Sequence, residues 1–304
     1  MTHAPSGRQF RISSGPQRAT IVEVGGGVRE YAVDGREVLD PYPLEAMCDG
    51  AHGAPLIPWP NRLADGVYTF DGNEHQVALT EPGKHNAIHG LLRWRNWRAV
   101  EHEPDRVLMA TRLHPLTGYP FLLDVRIEYC VSAAGLAVTT TATNLGETSC
   151  PFGSGQHPYL SPGTGLIDEC TLQLDAARWV DTANDRQLPT GTRATRGTPM
   201  DFTVPRTVGG QRLDVPFCDV NRDADQRAWV TLTALDGTRA ELWVDSTYEL
   251  IELYSGDTLE PHRRRRGLGA EPMTCPPNAF QTGTGLQRLD PGESRTSSWG
   301  ARLS

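Results

Sequence analysis

The chain lacks any apolar run long enough to cross a bilayer; its longest apolar stretches are short and broken by charge. The opening residues, Met1-Thr2-His3-Ala4-Pro5-Ser6-Gly7-Arg8, contain no apolar h-region. No signal peptide is therefore expected, and the expected location is cytoplasmic. The six cysteines (Cys48, Cys130, Cys150, Cys170, Cys218 and Cys275) include no Cys-x-x-Cys pair. Six reduced thiols, most of them buried as small hydrophobes, are expected rather than a disulfide framework. Positive charge is outweighed: 29 Lys and Arg face 37 Asp and Glu, for a net charge of −8. An acidic surface does not attract polyphosphate, so no nucleic-acid partner is expected, whereas a neutral sugar is not excluded. Helical periodicity beyond about three turns is missing. So are fixed-period repeats, low-complexity tracts and any Pro-, Gly- or Ser-rich linker.

What is present reads as strand. Arg18–Val24, Arg106–Leu113, Leu123–Tyr129, Gly135–Thr143, Ala228–Leu235 and Ala240–Val244 are short, β-branched and partly alternating. Thr139, Thr141 and Thr143 fall on one face of their segment, and Val138, Thr140 and Ala142 on the other. Asp71-Gly72-Asn73, Ser132–Gly135, Asp236-Gly237 and Pro291-Gly292 are turn signals. With 31 Gly, 23 Pro and 304 residues, the expected architecture is one all-β domain, a large β-sandwich over residues 1–304. Residues 1–14 read as a flexible arm, and residues 185–210 as a long loop. Arg263-Arg264-Arg265-Arg266 reads as a solvated turn before the strand that carries Glu271.

Polar residues in dense local contexts carry the functional signal. In Pro58-Trp59-Pro60-Asn61-Arg62, two prolines fix an extended approach to a guanidinium whose donor fork suits hydroxyls or a carboxylate. An exposed surface Arg is the alternative. His89 in His85-Asn86-Ala87-Ile88-His89-Gly90 precedes a glycine, which admits a closely approaching ligand. A structural histidine is the alternative, and no acidic or Cys partner stands at zinc-ligand spacing from His85. His157 lies in Gly155-Gln156-His157-Pro158-Tyr159, where glycine and proline constrain an imidazole able to move protons near neutral pH. Asp214 in Leu213-Asp214-Val215-Pro216 reads alone as a turn residue. Glu271 follows the apolar Gly267–Ala270 and precedes Pro272. That approach suggests a partly buried carboxylate with a raised pKa.

No one of these motifs is diagnostic, but in this order they resemble the aldose 1-epimerase (galactose mutarotase) family. The matching pieces are Asn61–Phe70, His85–Gly90, Gly155–Tyr159, Leu213-Asp214, Glu271–Phe280 and the closing Leu289-Asp290-Pro291-Gly292-Glu293-Ser294. The resemblance spans residues 15–302. It implies a β-supersandwich with an open cleft, and interconversion of the α and β anomers of a free hexose by acid–base ring opening and closure. It implies Glu271 as general base, His157 as general acid and His89 as a second imidazole beside the ring oxygen. Arg62, Asp214 and Asn61 would hold sugar hydroxyls. Neither metal nor cofactor is expected, nor a membrane partner; the oligomeric expectation is a monomer or weak homodimer. Leu160 and Ser161 depart from the galactose mutarotase pattern. Glu271-Pro272-Met273-Thr274-Cys275-Pro276-Pro277 resembles a bacterial subgroup of uncharacterised or sulfosugar-linked epimerases, with Gln281 where that subgroup commonly has Asn. A hexose-6-phosphate epimerase would enlist Arg62, Arg93 and Arg95. A non-catalytic sugar binder has no need of both Glu271 and His157. A glycoside hydrolase would use Asp214 with Glu271 and leave the histidines without a role.

Overall fold

Alternating burial builds the two large sheets. Along Leu123–Ser132, the side chains of Leu123, Val125, Ile127, Tyr129 and Val131 are fully buried, while Asp124, Arg126 and Glu128 face outward. This strand pairs with Arg106–Leu113 on one side and Gly135–Asn144 on the other. The structure is a computed structural model that describes residues 4–304.

The nine-stranded sheet runs in the order Arg98–His102, Arg106–Leu113, Leu123–Ser132, Gly135–Asn144, Ser294–Leu303, Arg239–Val244, Ala228–Thr233, Thr171–Leu174 and Arg206–Thr207. On its outer face the three threonines of the alternating segment meet hydroxyls of the last strand. Thr139 pairs with Ser298 at 3.1 Å, Thr141 with Thr296 at 3.0 Å and Thr143 with Ser294 at 2.7 Å.

The second sheet has 12 strands among the described residues. Its main path runs Gln9–Ser14, Gln17–Val22, Val28–Val33, Arg36–Leu39, Tyr159–Leu160, Leu268–Met273, Leu250–Tyr254, Asp214–Val220, Ala176–Asp181 and Gly191–Ala194. Gln9–Ser14 and Gln17–Val22 pack over Leu123–Ser132. The buried faces of both sheets merge into one apolar cluster that includes Ile21, Tyr129, Val138 and Trp299. The all-β sandwich is thus present, with one four-residue α-helix, Ala279–Thr282, among the described residues. All six cysteines are free thiols.

Three local expectations change. Residues 9–14, expected in a flexible arm, form the edge strand of the large sheet because Phe10 and Ile12 reach the core. Met1, Thr2 and His3 lie outside the described residues. Within the expected loop 185–210, Gly191–Ala194 and Arg206–Thr207 are strands. The arginine run does form a turn, but Arg263 is buried rather than solvated. Its guanidinium donates to Asp40 Oδ2 at 2.9 Å and to the Pro41 carbonyl at 2.7 Å.

Candidate active site

Glu271 sits in Leu268–Met273, a central strand buried at every position. On one side this strand pairs with Leu250–Tyr254, placing Glu252 directly opposite Glu271. On the other side the ladder is interrupted. Gly155 pairs with Met273 and Tyr159 with Gly269, and His157 falls in the gap between them. A Cβ at Gly155 would stand 2.8 Å from the Pro272 carbonyl oxygen, so only glycine lets the segment approach this closely. The His157 amide donates to the Ala54 carbonyl at 3.1 Å, and its own carbonyl accepts from Gly53 at 2.9 Å. His157 Nε2 thereby lies 3.1 Å from Glu271 Oε1, with the residues 4% and 2% exposed. His157 Nδ1 and Glu271 Oε2 have no partner among the described residues.

His157 also belongs to a row of rings. It stacks on Tyr159 at 4.8 Å, and Tyr159 stacks on His52 at 3.7 Å. The far end of the row is anchored by Asp40, which lies 3.0 Å from His52 Nε2 and accepts from Arg263 and Arg266.

The opposite wall is a small ladder in which Arg62–Ala64 pairs with Asn86–Ile88. Both chains enter or leave it through left-handed residues, Asn61 (φ 55°) and His89 (φ 63°). Non-glycine residues in that region are strained and concentrate at functional sites. Reciprocal hydrogen bonds hold them. The His89 amide donates to the Asn61 carbonyl at 2.9 Å, and the Asn61 amide donates to His89 Nδ1 at 3.2 Å. Because Nδ1 accepts, the ring proton of neutral His89 resides on Nε2. Gly90 is obligatory behind it, since a Cβ there would lie 2.1 Å from the Ile57 carbonyl oxygen.

Arg62 is fixed by a two-point contact with Glu81, Nε to Oε2 at 3.0 Å and a terminal nitrogen to Oε1 at 3.2 Å. The same guanidinium reaches Asp214 at 3.7 Å. Asn278, at the end of the proline-locked loop after Glu271, clamps this ladder from outside. Its amide donates to the Arg62 carbonyl at 2.6 Å, and its Oδ1 accepts from the Ala64 amide at 3.0 Å. Gln281 donates to the carbonyls of Ala64 and Val67, so its side chain holds backbone.

Asn61, Arg62, His89, His157, Asp214 and Glu271, all six site residues expected from the sequence, line one cavity of about 320 Å³. His85 lies apart, exposed, with Nδ1 2.7 Å from Asp65. The sequence reading missed Glu252, Glu81, Lys84 and Tyr254. Glu252 is 1% exposed and accepts from Asn61 Nδ2 at 3.1 Å. A lone carboxylate inside the apolar run Leu250-Ile251-Glu252-Leu253-Tyr254 was its available signal. Glu81 lies in an ordinary Glu-Pro-Gly turn and carried none.

Burial governs the charges. It pushes Glu271 well above the usual carboxylate range, Asp214's charge adds to the effect, and Arg62 opposes it. Glu252 is raised by burial and then by Asp214 and Glu271. Burial lowers His157 to about 3 and takes His89 well below its ordinary value, with His157 adding to the latter shift. For Arg62, burial works against the charge, but Asp214 and Glu81 more than offset it. Burial at the cavity floor therefore favours the uncharged forms of Glu271, His157 and His89. Such an assembly can exchange protons with a bound polar molecule. Ligand atoms of His89, His157 and Glu271 also lie within 4.8 Å of one another. That two-His, one-carboxylate set could hold a divalent ion, which would replace the His157–Glu271 hydrogen bond.

The aldose 1-epimerase family profile matches residues 8–301. An uncharacterised Escherichia coli protein, YihR, is 34% identical over 291 residues, covering 95% of this chain and 91% of its own. Pig galactose mutarotase is 28% identical over 217 residues, covering 66% of this chain and 60% of its own. A solved aldose epimerase homologue from Caenorhabditis elegans superposes with a TM-score of 0.85 at 19% identity, covering 98% of each chain. The sandwich is shared with that structure, and the match over nearly the whole length settles the lineage: the chain belongs to the aldose 1-epimerase family.

Proposed function

We propose that the protein is a mutarotase that interconverts the α and β anomers of a free aldose. The observation that carries this reading is the 3.1 Å contact between buried His157 and Glu271 at the cavity floor. Burial pushes their proton affinities in opposite directions: it makes the Glu271 carboxylate a stronger base than usual and the His157 imidazolium a stronger acid. Glu271 removes the proton from the anomeric hydroxyl, and His157 delivers one to the ring oxygen. The C1–O5 bond then breaks and leaves an open-chain aldehyde. C1–C2 rotation presents the other carbonyl face, the O5 hydroxyl adds to it, and the two protons return. No electron transfer and no net proton change occur. The working forms are the Glu271 carboxylate and the His157 imidazolium, which differ from the uncharged pair by one proton moved from Glu271 to His157 Nε2. His89 Nε2–H donates toward the ring-oxygen side, and Arg62, Asp214 and Asn61 bind hydroxyls.

A second reading concerns the sugar. Arg93 lines the same cavity and makes no ion pair among the described residues; its guanidinium lies 5.6 Å from the Trp94 ring centroid. A free cation at the cavity edge suits a substrate with an anionic substituent, such as a sulfosugar or a hexose 6-phosphate. The Glu271–Pro277 motif supports the same assignment. The deciding experiment is exchange NMR of anomers over free hexoses, sulfoquinovose and hexose 6-phosphates. Accelerated exchange of a neutral hexose alone supports the first reading, and preference for an anionic sugar supports the second. Binding without exchange of any sugar would leave only a sugar-binding role.

A further inference from the structure

Behind the cavity lies a buried ionic cluster that the ring-opening chemistry does not use. Asp40 accepts from Arg263 and Arg266 at 2.9 and 3.2 Å and lies 3.0 Å from His52 Nε2. The other ring nitrogen of His52 lies 2.9 Å from the Asp49 carbonyl oxygen, and the Arg263 guanidinium approaches Nε2 to 3.1 Å. Buried charge is costly, and well-packed apolar residues in its place are often neutral or stabilising. What this cluster supplies that apolar packing does not is a fixed ring plane at His52, held at both nitrogens.

That plane is passed on. Tyr159 lies face to face with His52, their centroids 3.7 Å apart and their planes 8° apart. Two positions before Tyr159 on the same extended segment, His157 stacks on its other side at 4.8 Å and 17°. The Tyr159 hydroxyl donates to the Gly50 carbonyl at 2.7 Å, which pins the outer end of the ring. His52 and Tyr159 are both buried, and neither lines the catalytic cavity.

His157 needs such support. Its Nε2 faces Glu271 at 3.1 Å, but its buried Nδ1 has no partner among the described residues. A proton-transferring imidazole is commonly oriented by a hydrogen bond at its second nitrogen. Here packing must set the ring angle. His89 and Tyr254 present edges to the ring at 5.4 and 6.2 Å, but both line the cavity and face the sugar. Tyr159 alone meets it from the protein side with a face, and an aromatic face attracts a cation. We propose that Tyr159 and His52 are positioning residues for His157. The row of rings keeps Nε2 on Glu271, and the Tyr159 face stabilises the imidazolium, in place of a hydrogen bond at Nδ1. This inference rests on the mutarotase reading for the role of His157.

Anomer-exchange kinetics of Tyr159→Leu, Tyr159→Phe, His52→Leu and the double leucine variant test it. Tyr159→Leu should lower kcat about tenfold, the order of a desolvated aromatic or cation–π contact, and leave KM within about threefold. Tyr159→Phe keeps the ring and should recover most of that loss. His52→Leu should lower kcat about threefold, and adding it to Tyr159→Leu should lower kcat no further, because His52 acts through Tyr159. Should a leucine variant not fold, Tyr159→Met or His52→Gln takes its place with the same expectations. A Tyr159→Leu kcat within about twofold of wild type overturns the inference. So does a phenylalanine variant as impaired as the leucine one, or a double variant in which the two losses multiply. Relaxation NMR of ring-labelled histidine separates this inference from the mutarotase reading. If the wild type exchanges no sugar, that reading falls, and the His157 ring still decides. Greater ring mobility in Tyr159→Leu than in Tyr159→Phe supports positioning, and equal order in the two overturns it.

Discussion

Replacing Glu271 with glutamine separates chemistry from stability. The amide has nearly the same shape and can keep a hydrogen bond to His157 at the present 3.1 Å separation. It cannot accept the anomeric proton. A general base contributes about 10²–10⁴ in rate, which at about 1.4 kcal/mol per decade is about 2.7–5.4 kcal/mol of barrier. The expected kcat for anomer exchange therefore falls by that factor. The sign of the stability effect follows from the raised pKa of Glu271. Above the unfolded carboxyl pKa, the unfolded chain releases a proton that the folded chain retains. The wild type thus loses stability as pH rises from there to the folded pKa, by up to about 1.4 kcal/mol per pH unit. Glu271→Gln removes this loss. Its melting temperature should equal or exceed that of the wild type, with the difference growing as pH rises above the usual carboxylate range. Exchange NMR and thermal melts over pH 4–8 measure both effects. A variant with kcat within about threefold of wild type would refute the base assignment. A stability difference that shrinks as pH rises would refute the protonation argument.

Glu252→Gln should keep activity within about threefold and leave the acidic limb of the pH–rate profile in place, because burial favours the uncharged form of Glu252. A shift of that limb to lower pH would mean that Glu252 is charged in the working enzyme. Arg263→Ala should cost about 3 kcal/mol in urea denaturation, because it strips one partner from the buried Asp40 carboxylate. A loss below about 1 kcal/mol would show that Arg266 and His52 suffice to compensate Asp40. Chelation with EDTA should leave the exchange rate unchanged; loss of activity restored by zinc would assign His89, His157 and Glu271 as metal ligands.

Strands were legible wherever one face is buried and the other wet. Arg106–Leu113 has the ends expected from sequence, Leu123–Tyr129 grows by the three residues that lead into its hairpin turn, and Gly135–Thr143 grows by Asn144 alone. The six residues that share the cavity were legible as candidates because each stands in a motif constrained by glycine or proline. What stayed hidden depends on partners distant in sequence. Arg263 reads as a surface charge until folding brings Asp40, 223 positions away, against it. Glu252 gains its environment only when strand pairing sets it opposite Glu271. The 185–210 region reads as loop because its two strands are short edge strands with exposed side chains.

The interruption that seats His157 opposite Glu271 has an evolutionary consequence. The His157–Glu271 pair is supported by the middle of the 12-stranded sheet, where a backbone shift would disturb strands on both sides. Glu81, Lys84, Arg93 and Gln187, which border the cavity or its rim, stand on connecting segments outside that sheet. Connecting segments tolerate replacement and insertion far better than central strands. Lineages built on this scaffold can therefore vary the cavity rim segment by segment while inheriting one unaltered His157–Glu271 pair at its floor.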